Sequence, residues 1–534
     1  MKADYVIVGG GSAGCVVANR LSADPKVSVI LLEAGPADRN PWIHIPVGYF
    51  KTIHNPKVDW CYKTEPDQGL NGRSIEWPRG RVLGGSSSLN GLLYVRGQPQ
   101  DYDRWAQKGN HGWSWDDVLP LFKRSENNER GADEFHSDEG NLSVSDMRIQ
   151  RPITDAWVEA AQAAGYKYNP DYNGADQEGV GFFQLTSHNG RRCSSAVAFL
   201  NPAKSRPNLT IVTNAHVQKV VVKDKRAVAV TYKDRGGALQ TVEAGREIVL
   251  SGGSINSPQL LMLSGIGEAE HLADHGIDIV ADLPGVGKNL QDHLQARLVY
   301  KCNEPTLNDE VRTLFGQARI GLKYILSRSG PMTMAASLAT GFVKSRIDLE
   351  TPDIQFHVQP LSAENPGKGA DPFSAFTMSV CQLRPESKGE IRLASSDGRD
   401  HPKIVPNYLS TETDCRTIVE GVKIARSIAR HAPLVEKISE EYRPHASLPM
   451  DDYDETLNWA RNNTASIYHP TGTCKMGQDP AAVVDARLRV HGINGLRVAD
   501  CSIMPEIVSG NTNAPAIMIG EKASDLIRED WAGR

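Results

Sequence analysis

Three glycines near the start of the chain have the spacing used by loops that bind dinucleotides. Gly9, Gly11 and Gly14 form a Gly-x-Gly-x-x-Gly pattern, and Glu33 stands at the end of the next apolar run. We expect Gly9 to permit a tight turn, Gly11 to let the main chain approach a pyrophosphate, and Gly14 to let a helix pack closely on a strand. Glu33 would accept hydrogen bonds from ribose hydroxyls. This pattern alone does not distinguish FAD from NAD(P).

The segments around the glycines predict the elements that must hold them in place. Residues 5–8 and 27–32 are short apolar runs typical of buried strands, and residues 13–21 between them have a helical composition. A strand–helix–strand unit of this kind directs the N-terminus of its helix at the phosphates. The free N–H groups and the positive dipole end at that terminus stabilise bound anions.

Further apolar runs later in the chain predict the rest of the fold. Residues 209–212, 217–222, 246–250 and 496–500 are expected to be strands, and residues 514–528 a final helix. Residues 300–460 have a different pattern of predicted secondary structure, in which strands with alternating apolar and polar residues, such as 354–358, are mixed with amphipathic helices such as 414–430. We therefore predict an α/β fold (α+β overall), in which a Rossmann-like cofactor domain is built from discontinuous segments around an inserted mixed-sheet domain for the substrate. The predicted segments are 1–155, 196–298 and 464–534 for the cofactor domain, and 156–195 and 299–463 for the substrate domain.

Composition excludes several classes of function. The 534 residues carry a formal net charge of −5, which disfavours a nucleic acid as partner. The eight cysteines are scattered without a Cys-x-x-Cys pair, so we expect neither disulfides nor a metal site. The sequence contains no run of about 18 consecutive apolar residues, so we expect no membrane-spanning helix. Because an apolar run typical of a strand follows Met1 almost at once, we expect no secretory signal and therefore a cytoplasmic protein. We also expect a monomer or a homodimer.

Five further stretches resemble segments of the glucose–methanol–choline (GMC) oxidoreductase family. They occur in the family's order and extend the resemblance over nearly the whole chain. The stretches are residues 80–90 (GRVLGGSSSLN), 253–267 (GSINSPQLLMLSGIG), 283–293 (LPGVGKNLQDH), 468–473 (YHPTGT) and 511–513 (NTN).

The resemblance implies that the cofactor is FAD and that the substrate is an alcohol. It places Ser12, Ala13 and Asp500 near the pyrophosphate, and Val217 near the adenine. The complete set of expected cofactor residues is Gly9, Gly11, Ser12, Ala13, Gly14, Glu33, Ala34, Gly85, Ser86, Asn90, Gly91, Leu93, Val217, Asp500 and Thr512. Some members attach the flavin covalently through a histidine at the position that Leu89 occupies here. We therefore expect FAD to bind without a covalent bond.

The same resemblance implies the catalytic residues. His469 matches the histidine that takes the hydroxyl proton while hydride passes to flavin N5, and a neutral imidazole suits that task. Asn511 matches the second active-site position, where an amide can donate to the substrate oxygen but cannot act as a base. Asn513, two residues later, is the alternative that we consider less favourable. His293 is expected to support the junction between domains, and His357 either faces the substrate or lies in the core.

The substrate and the electron acceptor are less constrained by the sequence. No acidic residue occurs at residues 335–341, where many relatives carry a glutamate, so a neutral primary alcohol is expected rather than choline. The acceptor would be a quinone, a protein carrier or O₂, and we favour a dehydrogenase over an oxidase. The alternatives to an alcohol oxidoreductase are a non-redox flavin-containing lyase of the cyanohydrin type and an NAD(P)-dependent enzyme.

Overall fold

The glycine turn follows a strand in the middle of a large sheet. The computed structural model describes residues 1–364, 369–449 and 451–532, and in these ranges the sheet has seven strands. They are β1 (Lys2–Val8), β2 (Val29–Glu33), β10 (Leu209–Thr213), β11 (His216–Lys223), β12 (Arg226–Lys233), β13 (Leu239–Leu250) and β24 (Leu496–Val498). Their order is β10-β2-β1-β13-β12-β11, and β24 pairs with β13. The strands from β10 to β13 and β24 pair in parallel, whereas β12 and β11 form antiparallel pairs.

Two helices at opposite ends of the sequence contact each other beside this sheet. They are α1 (Ser12–Leu21) and α15 (Asn513–Trp531). All five residues of β2 are buried, as expected for a parallel strand that is covered on both faces. A Cβ atom at Gly520 of α15 would lie 2.7 Å from the main-chain oxygen of Ala13, so the close approach of the two helices requires glycine there. The predicted strand–helix–strand unit and final helix are thus confirmed.

A second seven-stranded sheet is present in the described ranges. Its strands are β7 (Gly179–Phe182), β16 (Leu294–Cys302), β17 (Ala339–Val343), β18 (Ile354–Gln359), β19 (Ala375–Gln382), β22 (Ile438–Arg443) and β23 (Thr464–Ser466). The order is β22-β16-β19-β18-β17-β7, with β23 beside β16, and every strand pair is antiparallel. The predicted fold class is confirmed, but the expectation that this sheet would be mixed was wrong. No helix of the described residues lies between β17 and β18 or between β18 and β19, and these neighbouring strands reverse direction instead of forming the helical crossover typical of parallel pairs.

The remaining strands form five small pairs. These are β3 (Tyr62–Lys63) with β4 (Glu76–Trp77), β5 (Glu126–Asn128) with β6 (Leu142–Val144), β8 (Ser187–His188) with β9 (Arg191–Arg192), β14 (Ile266–Gly267) with β15 (Ala281–Asp282), and β20 (Glu390–Arg392) with β21 (Lys403–Val405). The other α-helices are α2 (Pro41–His44), α3 (Tyr49–Thr52), α4 (Pro99–Gln107), α5 (Trp115–Ser125), α6 (Pro152–Ala163), α7 (Asn201–Ala203), α8 (Gly253–Leu263), α9 (Ala269–Asp274), α10 (Leu307–Arg312), α11 (Leu314–Ser327), α12 (Glu412–Ile428), α13 (Leu434–Lys437) and α14 (Tyr453–Asn463). None of the helices in the described ranges has the length and apolarity needed to cross a bilayer.

The two sheets draw their strands from alternating parts of the chain. The first sheet uses residues 2–33, 209–250 and 496–498, and the second uses residues 179–182, 294–382 and 438–466. Strand β16 begins before the predicted segment boundary at residue 298, and β23 lies just beyond the one at residue 463. The division into cofactor and substrate segments stays a prediction.

Candidate active site

A cavity of about 400 Å³ is bordered by residues of both sheets. Val8 and Glu33 border it from the carboxyl ends of β1 and β2, whereas Arg297 and His357 border it from β16 and β18. Ligands of open α/β sheets bind outside the carboxyl ends of the parallel strands, which is where the first pair lies. The volume falls within the usual range for small-molecule sites, about 300–1,000 Å³.

Glycine is sterically required at three positions beside the cavity. Gly9 has a φ of +105°, and a Cβ there would lie 2.4 Å from the main-chain oxygen of Ser251. A Cβ at Gly14 would lie 2.0 Å from the oxygen of Gly9, and one at Gly85 would lie 2.7 Å from Cα of Gly11. Any side chain at these positions would push α1, the turn or the 80–90 loop into the space of its neighbour.

The wall of the cavity offers hydrogen-bonding groups to a dinucleotide. Gly11 precedes α1 without any side-chain cap, so the N-terminal N–H groups of that helix have no partner within it. Glu33 accepts from the main-chain N–H groups of Gly10 (2.9 Å) and Gly35 (2.7 Å), and its carboxylate retains further acceptor capacity. Among the described residues, Ser254 Oγ and Ser337 Oγ are buried at the cavity wall without a partner. These features fit a polar, phosphate-containing ligand.

The structure brings the predicted site residues together around this one cavity, with a single exception. Gly14 does not border it and instead packs α1 against the turn. The bordering residues are Gly9, Gly11, Ser12, Ala13, Glu33, Ala34, Gly85, Ser86, Asn90, Gly91, Leu93, Val217, His469, Asp500, Asn511 and Thr512. Asp500 also braces the wall, because it accepts from the N–H of Gly253 (2.8 Å) and from Ser257 Oγ (2.6 Å). Leu89 borders the cavity with its side chain almost completely buried.

A chain of hydrogen bonds fixes the proton positions on His469. His293 Nε2 lies 2.9 Å from the carbonyl oxygen of Leu383, which can only accept, so Nε2 carries the proton. The neutral His293 ring therefore accepts at Nδ1, where His469 Nδ1 approaches within 3.0 Å and must donate. His469 Nε2 is consequently left with its lone pair, and Asn511 Nδ2 donates to it at 3.2 Å. The basic nitrogen of His469 thus points at Asn511.

Burial keeps these imidazoles neutral. The pKa of His469 is lowered well below its ordinary value, first by burial and then by repulsion from His293, His357 and Arg79. Burial also lowers the pKa of His293 to about 4 and that of His357 to about 3. A neutral His469 has a lone pair available for a proton at any pH near neutrality.

Main-chain contacts position the segment that carries His469. Asp292 accepts from the N–H of His469 (2.7 Å) and from Ser466 Oγ (2.5 Å). Arg79 donates from Nη2 to the carbonyl oxygen of Tyr468 at 2.6 Å, and Tyr468 itself has a φ of +68°. A non-glycine residue in the left-handed region must be held by its surroundings. These bonds fix the direction in which the imidazole of His469 enters the cavity.

The two candidate asparagines have different neighbours. Asn511 donates to His469 and accepts from Gln355 Nε2 at 3.3 Å. Asn513 begins α15, and its Oδ1 accepts from Ser12 Oγ at 2.9 Å. Asn511 is therefore the asparagine that contacts the imidazole, whereas Asn513 joins the helix to the glycine turn.

Sequence reasoning missed two residues that the structure places in this network. The sequence predicts that His293 supports a domain junction, whereas in the structure it contacts His469 directly. Gln355, which orients Asn511, was not noticed. His357, two residues further along β18, borders the cavity, and its Nδ1 is buried without a partner among the described residues. The only signal for His293 was its place at the end of the 283–293 stretch, which says nothing about the distance to residue 469.

Comparisons with known proteins identify the family of this chain. Residues 3–295 and 385–520 match the two GMC oxidoreductase family models. The alcohol dehydrogenase [acceptor] of Pseudomonas putida is 45% identical over 98% of this chain and 95% of its own length. The mitochondrial choline dehydrogenase of Homo sapiens is 44% identical over 98% of this chain and 89% of its own.

Solved structures share the fold over the full length. The crystal structure of pyridoxine 4-oxidase from Mesorbium loti superposes with a TM-score of 0.89 at 31% identity, covering 98% of both chains. A formate oxidase of Aspergillus oryzae, studied for its FAD modification, gives a TM-score of 0.92 at 27% identity, covering 99% of this chain and 98% of its own. On the family models and on full-length identity to the curated relatives, this chain belongs to the GMC oxidoreductase family.

Proposed function

We propose that the protein oxidises a neutral alcohol to the aldehyde with FAD as its cofactor. The observation that carries the proposal is the unprotonated Nε2 of His469, which accepts from Asn511 Nδ2 in the same cavity as the glycine turn. The relatives that we compared are named as dehydrogenases and oxidases, which favours redox chemistry over the lyase alternative.

The residues that would hold FAD extend along the cavity wall. The N–H groups at Ser12 and Ala13 would bind the pyrophosphate, and Glu33 would accept from the ribose. Ser86, Asn90, Gly91, Leu93 and Thr512 would border the ring system. A bound FAD would supply the acceptor for the hydrogen that leaves the alcohol carbon. Because Leu89 has no nucleophilic atom, we propose that this binding is non-covalent.

The protein's own residues would manage the proton. A substrate hydroxyl would replace the direct hydrogen bond between Asn511 and His469. Its oxygen would accept from Asn511 Nδ2, and it would donate to His469 Nε2. His469 would then take the hydroxyl proton as the alcohol carbon is oxidised. His293 would hold the proton that His469 already carries at Nδ1, on the side of the ring that faces away from the substrate. Positioned acid–base help of this kind is typically worth about 10² to 10⁴ in rate.

Charge in the cavity favours a neutral alcohol over choline. Within the described part of the chain, the acidic residues that border the cavity are Glu33 and Asp500, and both already accept main-chain hydrogen bonds. The cations Arg79 and Arg297 border the same cavity. A quaternary ammonium binds anionic or aromatic partners, and the cavity does offer aromatic rings, at Tyr49, Phe50, Trp60 and Tyr468. The case against choline therefore rests on the two guanidinium groups, which would repel its charge, and on the absence of an acidic residue beyond Glu33 and Asp500 in the described lining.

The experiment is anaerobic reduction of the yellow enzyme by a panel of neutral, aromatic, sugar and amino alcohols. We expect neutral alcohols to bleach the flavin, and His469→Ala to keep FAD while slowing bleaching by about 10² to 10⁴. His188→Ala, at an exposed histidine, is the matched control. A flavin that stays yellow with every alcohol would contradict the proposal and favour a lyase.

Two measurements on the same protein address the finer statements. We propose a dehydrogenase that passes electrons to a quinone or protein carrier, so dye reduction should exceed hydrogen peroxide formation; the reverse would indicate an oxidase. Acid precipitation should release the yellow colour into the supernatant. Colour retained in the pellet would contradict non-covalent binding. A cytoplasmic location and a monomeric or dimeric state stay predictions.

A further inference from the structure

Helix α11 exposes an unusually apolar face. The exposed fractions are 84% for Leu314, 80% for Phe315, 58% for Leu322, 72% for Ile325 and 75% for Leu326. At 100° per residue these side chains fall within an arc of roughly 120°, a single continuous stripe. Apolar residues clustered in this way mark a contact surface, whereas scattered exposed ones need no explanation.

The opposite face of the helix is anchored in the protein. Gly316, Ile320 and Tyr324 are buried, and Tyr324 donates its hydroxyl to the carbonyl oxygen of Gly190 at 3.1 Å. Thr313 caps the N-terminus by accepting from the N–H of Gly316. The helix therefore uses one face for the core, and the apolar stripe is a second face that no residue of the described chain covers.

Cations border this stripe. Helix α11 contains no acidic residue, and Arg312, Arg319, Lys323 and Arg328, within it or next to its ends, are all exposed. A depression beside the helix is also lined mainly by cations, and Glu310 is the one acidic residue in its described lining. Its charged lining consists of Arg148, Arg151, Glu310, Arg319 and Lys323. Glu310 pairs with Arg151 at 2.5 Å and with Arg319 at 3.3 Å, which leaves a net positive charge.

The charge pattern identifies the partner. In a symmetric dimer built on α11, the same surface would face itself, and the bordering cations would be brought together without acids to balance them. An anionic bilayer instead accepts the apolar stripe below its headgroups and pairs the cations with phosphates. We propose that α11 docks the protein onto an anionic membrane surface, with the apolar stripe inserted and the cations at headgroup level.

The docked helix lies close to the candidate active site. Ile320 shares one apolar cluster with Leu361 and Ala363, and both of these border the cavity. The buried face of α11 and this part of the cavity wall thus belong to one apolar cluster. Docking would hold the cavity next to apolar alcohols or acceptors dissolved in the bilayer. The docking proposal itself concerns binding and does not depend on the proposed reaction.

Vesicle flotation of the FAD-loaded full-length protein tests the proposal. We expect flotation with vesicles that contain phosphatidylglycerol and little with pure phosphatidylcholine. Phe315→Gln/Leu322→Gln/Ile325→Gln should weaken the partition coefficient on the order of a hundredfold, because three apolar side chains no longer insert. The matched control is Leu239→Gln/Ile279→Gln/Ile347→Gln, which alters three other exposed apolar residues outside α11 and should float like the parent.

The charge of the docking face has its own test. Arg319→Gln and Lys323→Gln should each weaken binding to the anionic vesicles about fivefold, and added salt should do the same. Equal loss of flotation in both triple variants would overturn the proposal, as would absence of flotation in the parent. A parent that sediments as a dimer, and becomes a monomer only in the α11 variant without ever binding vesicles, would identify a second copy as the partner and refute membrane docking.

Discussion

Replacing His293 by leucine would test how the proton of His469 is positioned. In the parent, the carbonyl oxygen of Leu383 sets the protonated nitrogen of His293, and His293 Nδ1 in turn accepts from His469 Nδ1 at 3.0 Å. Leucine fills a similar volume and offers no acceptor. The Nδ1–H of His469 would then be buried without a partner, so the ring would favour the tautomer with its proton at Nε2. That tautomer has no lone pair for a substrate hydroxyl.

The structure sets the size of this effect. An unsatisfied buried donor costs about 1–3 kcal/mol. At about 1.4 kcal/mol per factor of ten, the ratio of the competent tautomer to the other one falls roughly 5- to 140-fold, and kcat should fall by up to that factor. Substrate binding does not use the Nδ1 side of His469, so KM should change much less than kcat. His293→Asn provides the rescue, because its Oδ1 can stand near the place of Nδ1 and accept the same proton.

The assay is anaerobic flavin reduction by a saturating alcohol, with FAD content and thermal unfolding measured on each variant. We expect His293→Leu to be slow and His293→Asn to approach the parent, both with full FAD occupancy. If both variants lose the same activity with FAD retained, or if His293→Leu reduces its flavin at the parental rate, the tautomer argument is refuted.

Three further predictions follow from burial and steric contact. The pKa of His469 is held well below its ordinary value of about 6.5, so the acid limb of the profile of kcat/KM against pH should lie well below that pH. An acid limb at about pH 6.5 would contradict the burial of His469. Gly14→Ala places a Cβ 2.0 Å from a main-chain oxygen, so it should lower the free energy of unfolding by about 1–3 kcal/mol and also lower FAD occupancy. The control is Gly321→Ala, whose Cβ meets nothing within 4 Å and which should be neutral or stabilising in thermal unfolding. The folded-state pKa values of His293, His357 and His469 are all lowered, so the unfolded chain binds more protons than the folded protein below about pH 6.5. The free energy of unfolding should therefore decrease as the pH falls below that value, by about 1.4 kcal/mol per pH unit for each histidine. Unfolding midpoints that stay constant between neutral pH and about pH 5 would show that these rings are not buried in the neutral form. His357→Leu should make the midpoint fall less steeply as the pH is lowered.

The sequence alone was sufficient for the local features of this protein. The glycine spacing, the apolar runs on either side of it and the long family-like stretches are contiguous, so their geometry follows from short-range rules. Gly9 takes the positive φ that a tight turn requires, and the strand–helix–strand unit around it forms as expected. The same stretches assigned the chain to its family.

Only the tertiary structure decided which side chains meet in the site. His293 and His469 are 176 residues apart in sequence, and their 3.0 Å contact depends on the pairing of β16 with β23 in the second sheet. The antiparallel order of that sheet likewise follows from how distant strands pair, which periodicity within one strand cannot specify. The tautomer of His469, the orientation of Asn511 and the exposed face of α11 are properties of packing. They depend on which atoms and which surfaces the completed fold leaves facing each other.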